Sequence, residues 1–151
     1  MRKYSFFFLL VFSVYVVMPA KAQEAESKFP PNAIFVASYM GNKDLVQEIL
    51  AASPDKNFRD SFGDTALHVA VFQKNIDIIK LLLDYGYDPN ARTTENGYTP
   101  LHNAVTANNV EAARLLLKYG ANKSIKGFDG LTALDKAKKE DKRDLVMLLY
   151  R

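Results

Sequence analysis

Thr99-Pro100-Leu101-His102-Asn103-Ala104 and, 34 residues earlier, Thr65-Ala66-Leu67-His68-Val69-Ala70 are the stretches that decide the fold. Each threonine follows a turn with glycine two residues before it, Gly63 in Ser61-Phe62-Gly63-Asp64 and Gly97 ahead of Thr99. A threonine there suits a helix N-cap, because its hydroxyl can satisfy one of the first free backbone N–H groups. Pro100 fits the first helical position, where no N–H is missed. Both segments therefore read as a turn that launches a short apolar helix.

The same step runs through most of the chain. Ala37, Ala70, Ala104 and Ala137 lie 33, 34 and 33 residues apart. Asn32, Thr65, Thr99 and Thr132 keep that spacing, as do Ile34, Leu67, Leu101 and Leu134, and Gly63, Gly97 and Gly130 precede their threonines alike. A period this regular is the signature of a stacked array. Within one period the order is turn, helix, short loop, helix. The spacing predicts a first helix from about Ala66 to Gln73, broken by Asn75, and a second from about Ile76 to Tyr85. Ile76, Ile78, Ile79, Leu81, Leu82 and Leu83 cover most of that second helix, which suits one wedged between neighbours. Gly86 is expected to end it in a left-handed cap. The following period copies the plan: a first helix to Ala107, a second from Val110 to Tyr119, then Gly120.

The two opening segments resemble the Thr-Pro-Leu-His-x-Ala signature of ankyrin repeats. Leu116-Leu117-Lys118-Tyr119-Gly120-Ala121 is similar to that family's helix end, and Leu82-Leu83-Asp84-Tyr85-Gly86-Tyr87 is a close relative. The resemblance implies an all-α ankyrin-repeat solenoid of stacked helix–loop–helix units with projecting β-turn fingers. It covers about residues 29–151, with repeats expected at 32–60, 61–92, 95–127 and 128–151 after a short mobile leader at 23–31. The end repeats depart from the pattern: Asn32-Ala33-Ile34-Phe35-Val36-Ala37 lacks the histidine, and Thr132-Ala133-Leu134-Asp135-Lys136-Ala137 carries aspartate in its place. Terminal repeats face water on one side and become atypical caps. Lys136, Lys138, Lys139, Glu140, Asp141, Lys142, Arg143 and Asp144 read as such a solvated end face, not as a phosphate site. One extra residue between Asn90 and Thr99 predicts a longer finger at 92–96.

The N-terminus reads as an address. Arg2 and Lys3 precede an apolar run from Tyr4 to Met18, and Ala20-Lys21-Ala22 makes a small-x-small cleavage site. That is the layout of a secretory signal peptide over 1–22, and the run is shorter than the ~20 apolar residues a spanning helix needs. An uncleaved anchor is the alternative. Removing 22 of the 151 residues leaves 129, beginning at Gln23. The loss of Arg2, Lys3 and Lys21 from 20 basic residues leaves 17 against 17 acidic, so the formal +3 belongs to the signal. Such a balance supplies no basic stripe for nucleic acid.

A search for chemistry returns little. The absence of cysteine excludes disulfides, thiolate metal sites and a cysteine nucleophile. His68 and His102 share one repeat position, and stacked helix pairs would hold them ~10 Å apart, too far to share a zinc ion. The family resemblance gives that histidine a structural role, holding the turn backbone by hydrogen bonding. No phosphate loop, zinc-protease helix or serine elbow occurs. Asp129-Gly130 and Asp88-Pro89-Asn90 lack the acidic spacing of a calcium loop and read as turns. The expectation is no enzyme, no metal and no cofactor.

What remains is a surface. Resemblance to ankyrin arrays implies a groove between turn tips and the exposed ends of the first helices. Carried over residue by residue, it is lined by Tyr39, Met40, Phe62, Asp64, Phe72, Gln73, Glu95, Asn96, Tyr98, Thr106, Phe128 and Leu131. Tyr39, Phe62, Phe72, Tyr98 and Phe128 stand where the fold does not demand aromatics, and aromatics dominate binding hot spots. One or two are allowed to pack back on neighbouring turns, Phe128 first among them. The expected function is a monomeric protein- or peptide-binding module, exported to a bacterial periplasm, where it stabilises or regulates a resident protein. It would touch neither nucleic acid nor, once mature, membrane. A secreted effector that engages host proteins is the alternative.

Overall fold

The computed structural model describes residues 28–151; the expected signal peptide, with Ala20 and Ala22, lies outside the described residues. Among the described residues the chain forms eight helices: α1 (Ala33–Met40), α2 (Lys43–Ala51), α3 (Ala66–Phe72), α4 (Ile76–Tyr85), α5 (Pro100–Thr106), α6 (Val110–Lys118), α7 (Ala133–Lys139) and α8 (Arg143–Tyr150). They pair as α1–α2, α3–α4, α5–α6 and α7–α8, and each pair stacks on the next. The odd-numbered helices thus form one layer and the even-numbered helices a second. The core runs between them as a continuous strip that includes Ile34, Val46, Leu67, Ile79, Leu101, Leu116, Ala137 and Leu145. None of the helices is long and apolar enough to cross a membrane.

Small residues set the spacing of the inner layer. Ala37, Ala70, Ala104 and Ala137 are all fully buried, so the first helices approach closely at the same point in each repeat. The connection inside each pair is equally regular. Gly41, Lys74, Asn108 and Asp141 occupy one repeat position and all have positive φ, from 50° to 70°. The following residue then caps the second helix: the Asn42, Asn75 and Asn109 side chains accept from the backbone N–H of Leu45, Ile78 and Ala112 at 3.0, 3.2 and 3.0 Å. Asn75 therefore starts α4 as well as ending α3. The last repeat has Lys142 there, with no side-chain cap.

Residues 28–31 are anchored, contrary to the mobile leader expected there. Phe29 packs against the core, Pro30 accepts from Ala33 N–H at 2.9 Å, and Lys28 pairs with Glu48. At the other end, Ala133, Ala137, Leu145 and Leu149 are buried where α7 and α8 cover α5 and α6. Deleting residues 128–151 is expected to uncover Leu115, Leu116 and Leu117 and to cause aggregation. A truncated protein that stays soluble and melts cooperatively would contradict the capping role of this repeat.

Candidate functional site

The turns between repeats project as fingers, each closed by a backbone bond across its base. Asp60 N–H donates to Asp64 O at 3.1 Å, Thr93 to Tyr98 at 2.9 Å and Gly127 to Leu131 at 2.9 Å. The middle finger spans one residue more than the others, which is where the inserted residue sits.

Two sets of side chains tie the fingers together. Arg59 Nη1 donates at 2.9 Å both to Gly63 O in its own finger and to Arg92 O in the next. Arg92 repeats the pattern, with Nε to Gly97 O at 3.2 Å and Nη2 to Lys126 O at 2.8 Å. Below this ladder the histidines form a second one. His68 Nδ1 accepts from Thr65 N–H at 3.2 Å and lies 2.8 Å from Thr65 Oγ1, while Nε2 lies 3.2 Å from Tyr98 O of the following finger. His102 does the same with Thr99 and with Leu131 O, the last at 3.1 Å. These partners define the neutral ring, with the proton on Nε2 donating to the carbonyl. Burial pushes His68 down to about 4 and also lowers His102, and a ring held neutral can keep accepting at Nδ1.

The terminal departures follow from this dual role. Asp135 Oδ2 accepts from Thr132 N–H at 3.1 Å and from Thr132 Oγ1 at 2.7 Å. It thus performs the capping half of the histidine's work. At the front, Phe35 takes the histidine position and meets Phe58 edge-on, with centroids 5.7 Å apart at 71°.

Beside the fingers, two hollows make one trough. A slot of about 500 Å³ is lined by Phe35, Val36, Tyr39, Phe58 and Val69, with Arg59 and Asp60 at its side. A second hollow of about 530 Å³ shares Tyr39 and Val69 and continues past Asp64, Phe72 and Gln73 to Tyr98, Thr106 and Lys136. Tyr39, Met40, Phe62, Phe72 and Phe128 are 66%, 70%, 61%, 54% and 66% exposed. Phe128 lies against the preceding finger yet stays largely exposed: its N–H donates to Asn96 O at 2.8 Å, and its ring sits beside Gly97 with Arg92 5.3 Å from the centroid.

Tyr98 is the correction to the expected aromatic row. Its ring stacks on His102 at 4.9 Å and 7°, and its hydroxyl donates to Asp129 Oδ2 at 2.7 Å. Lys136 Nζ lies 5.0 Å from the centroid of the same ring. The fold therefore does use this aromatic. Asn96 is also engaged, since its side chain accepts from Thr93 Oγ1 and Tyr98 N–H at 2.7 and 2.9 Å. Leu131 gives its carbonyl to His102, and Thr106 Oγ1 donates to His102 O at 3.1 Å. Glu95 and Gln73 remain exposed. Asp64 is half-buried; burial, helped by the carboxylates of Asp60 and Glu95, raises it to about 6 against the pull of Arg59. Val36, Phe58 and Val69 were not among the expected lining residues, although Phe35 in the histidine position was the visible signal that this end differs. Among the described residues, no group of three or more His, Asp or Glu side chains is placed to hold a metal ion.

The sequence profile of ankyrin repeats, described as three copies, matches residues 9–93, 33–127 and 90–151. The chain belongs to the ankyrin-repeat family. Its curated relatives include an ankyrin repeat-containing protein of Treponema pallidum, 40% identical over 58 residues, or 38% of this chain and 20% of that one. An ankyrin repeat protein of fowlpox virus is 42% identical over 52 residues, covering 34% of this chain and 10% of its own. The E3 ubiquitin-protein ligase KEG of Arabidopsis thaliana is 38% identical over 55 residues, 36% of this chain and 3% of the ligase. The match spans a fifth or less of each of these relatives. Ankyrin repeats indicate a protein–protein interaction module, and the family is generally non-catalytic.

Proposed function

We propose that this ankyrin-repeat protein is a non-catalytic, monomeric binding module, exported to the cell envelope, that stabilises or regulates a resident protein partner. The observation that carries the binding face is the trough with its exposed Tyr39 and Phe72, and with Phe62 and Phe128 exposed on the fingers beside it. Large apolar side chains standing together in water are costly to solubility and typical of interaction surfaces. Export rests on the Arg2-Lys3, Tyr4–Met18 and Ala20-Lys21-Ala22 layout. The balanced charge after cleavage supports a partner other than nucleic acid.

The test is a pull-down from the envelope fraction, paired with sequencing of the protein's N-terminus. The control carries Tyr39→Ala, Phe62→Ala, Phe72→Ala and Phe128→Ala, while Tyr98 stays because it holds His102 and Asp129. The expected result is an N-terminus at Gln23 and one envelope protein captured by the wild type and lost by the control. Equal capture by both baits, or an intact Met1, would count against the binding face or the export respectively.

A further inference from the structure

The two parts of the trough differ in chemistry. The slot is apolar because Phe35 replaces the histidine that, in later repeats, reaches up to the next finger; its pairing with Phe58 leaves an open cleft instead. The adjoining hollow is floored by Val69 and Phe72 and carries Asp64, with Asp60 on the slot side and Glu95 close enough to raise the Asp64 carboxyl. Two cations also border the trough, and of these Arg59 pulls on Asp64 less than burial and the neighbouring carboxylates push it. Arg59 Nη1 binds two carbonyls, and Lys136 at the far end pairs with Glu140 at 2.8 Å. Among the described residues no ion pair includes Asp60, Asp64 or Glu95.

Asp60 Oδ1 is taken by the N–H groups of Phe62 and Asp64, both at 2.9 Å. Asp64 is therefore the carboxylate left to edge the apolar trough, an arrangement complementary to an apolar group flanked by a cation. We propose that the trough receives a protein segment in which a lysine or arginine stands beside a large apolar side chain. The apolar group fills the Phe35–Phe58–Val69 slot and the cation lies at Asp64. This rests on the binding-module reading above. Tyr39 and Phe72 line the same hollow, and aromatic rings favour a cation over a neutral polar group. Lys136, over the Tyr98 ring and paired with Glu140, already fills the far end of the hollow, which leaves the Asp64 end for the cation. Electrostatic matching of this kind selects the partner and its register more than it adds affinity.

The test uses a display library of random dodecapeptides selected on the full-length protein. Enriched peptides are expected to place lysine or arginine next to a large apolar residue. A peptide synthesised from that consensus is expected to lose about tenfold in affinity on Asp64→Asn, and to be weakened by Tyr39→Ala and Phe72→Ala. Replacing the peptide's cation by norleucine gives the same reading without touching the protein, should Asp64→Asn alter its melting. Uncharged or acidic peptides that respond to Tyr39→Ala but ignore Asp64→Asn would overturn the cation and leave the binding face standing. Peptides indifferent to all three substitutions, or no enrichment at all, would overturn both.

Discussion

Gly63→Ala is expected to lower the unfolding free energy by about 3 kcal/mol, while Gly130→Ala, at the same position two repeats later, costs about 1 kcal/mol. The two glycines have nearly the same backbone, φ of 78° and 77°, so the left-handed strain of an alanine is common to both. What differs is the space. A Cβ on Gly63 would fall well inside contact distance of Thr94, its Oγ1 and also its backbone N, whereas one on Gly130 meets nothing within 4 Å. Thr94 cannot retreat cheaply, because it lies in the finger closed by the Thr93–Tyr98 bond, and Arg59 holds the carbonyl of Arg92 close by. Gly97 lies between the two, since its Cβ would meet the Phe128 ring at 2.8 Å and that exposed ring can swing away. Urea midpoints of the three alanine variants should therefore fall in the order Gly130, Gly97, Gly63, with Gly63 lowest. Equal losses at Gly63 and Gly130 would mean that the fingers are not packed against one another.

That contrast also marks what a sequence can carry. The four-repeat register was legible because its signals are local: glycine for the turn, threonine for the cap, and a small residue where first helices meet. The boundaries of α4 follow from the same chemistry. Asn75 was legible only as a breaker, because an asparagine that caps the second helix also stops the first. The arginine ladder was not read at all. Its acceptors are carbonyls, whose directions depend on turn geometry, although the recurrence of Arg59, Arg92 and Lys126 at the repeat spacing was there to see. The role of Tyr98 was not legible for a comparable reason. Whether an aromatic at a finger tip is free depends on what stands one repeat away, and only Tyr98 has a hydroxyl partner there in Asp129. The slot at Phe35 needed both its own side chain and Phe58, 23 positions later, to be placed together in space.

Acidification is expected to destabilise the protein between pH 6.5 and 4, and Asp64→Asn to make that loss steeper. The ring of His68 titrates near 6.5 in the unfolded chain but near 4 in the fold, because burial and the acceptor role of Nδ1 exclude the second proton. Its contribution is therefore complete above pH 6.5. It drains away as the pH falls toward 4, where it has removed about 3 kcal/mol. His102 is shifted in the same direction and adds to the loss. Asp64 opposes both. Its carboxyl is raised to about 6 in the fold from 3.8, so the folded state gains a proton before the unfolded one and is stabilised as the pH falls through that range. Removing this charge should raise stability at pH 7.5, where the half-buried carboxylate is a cost, and should leave the histidines unopposed below pH 6. Urea midpoints of the wild type and Asp64→Asn at pH 7.5, 6, 5 and 4.5 check both halves. The curves should diverge at neutral pH, with the variant more stable, and converge toward pH 4.5. Curves that remain parallel across that range would show that Asp64 ionises alike in the folded and unfolded chains. A wild-type midpoint unchanged from pH 6.5 to 4.5 would mean that the histidines accept protons without releasing the fingers they hold.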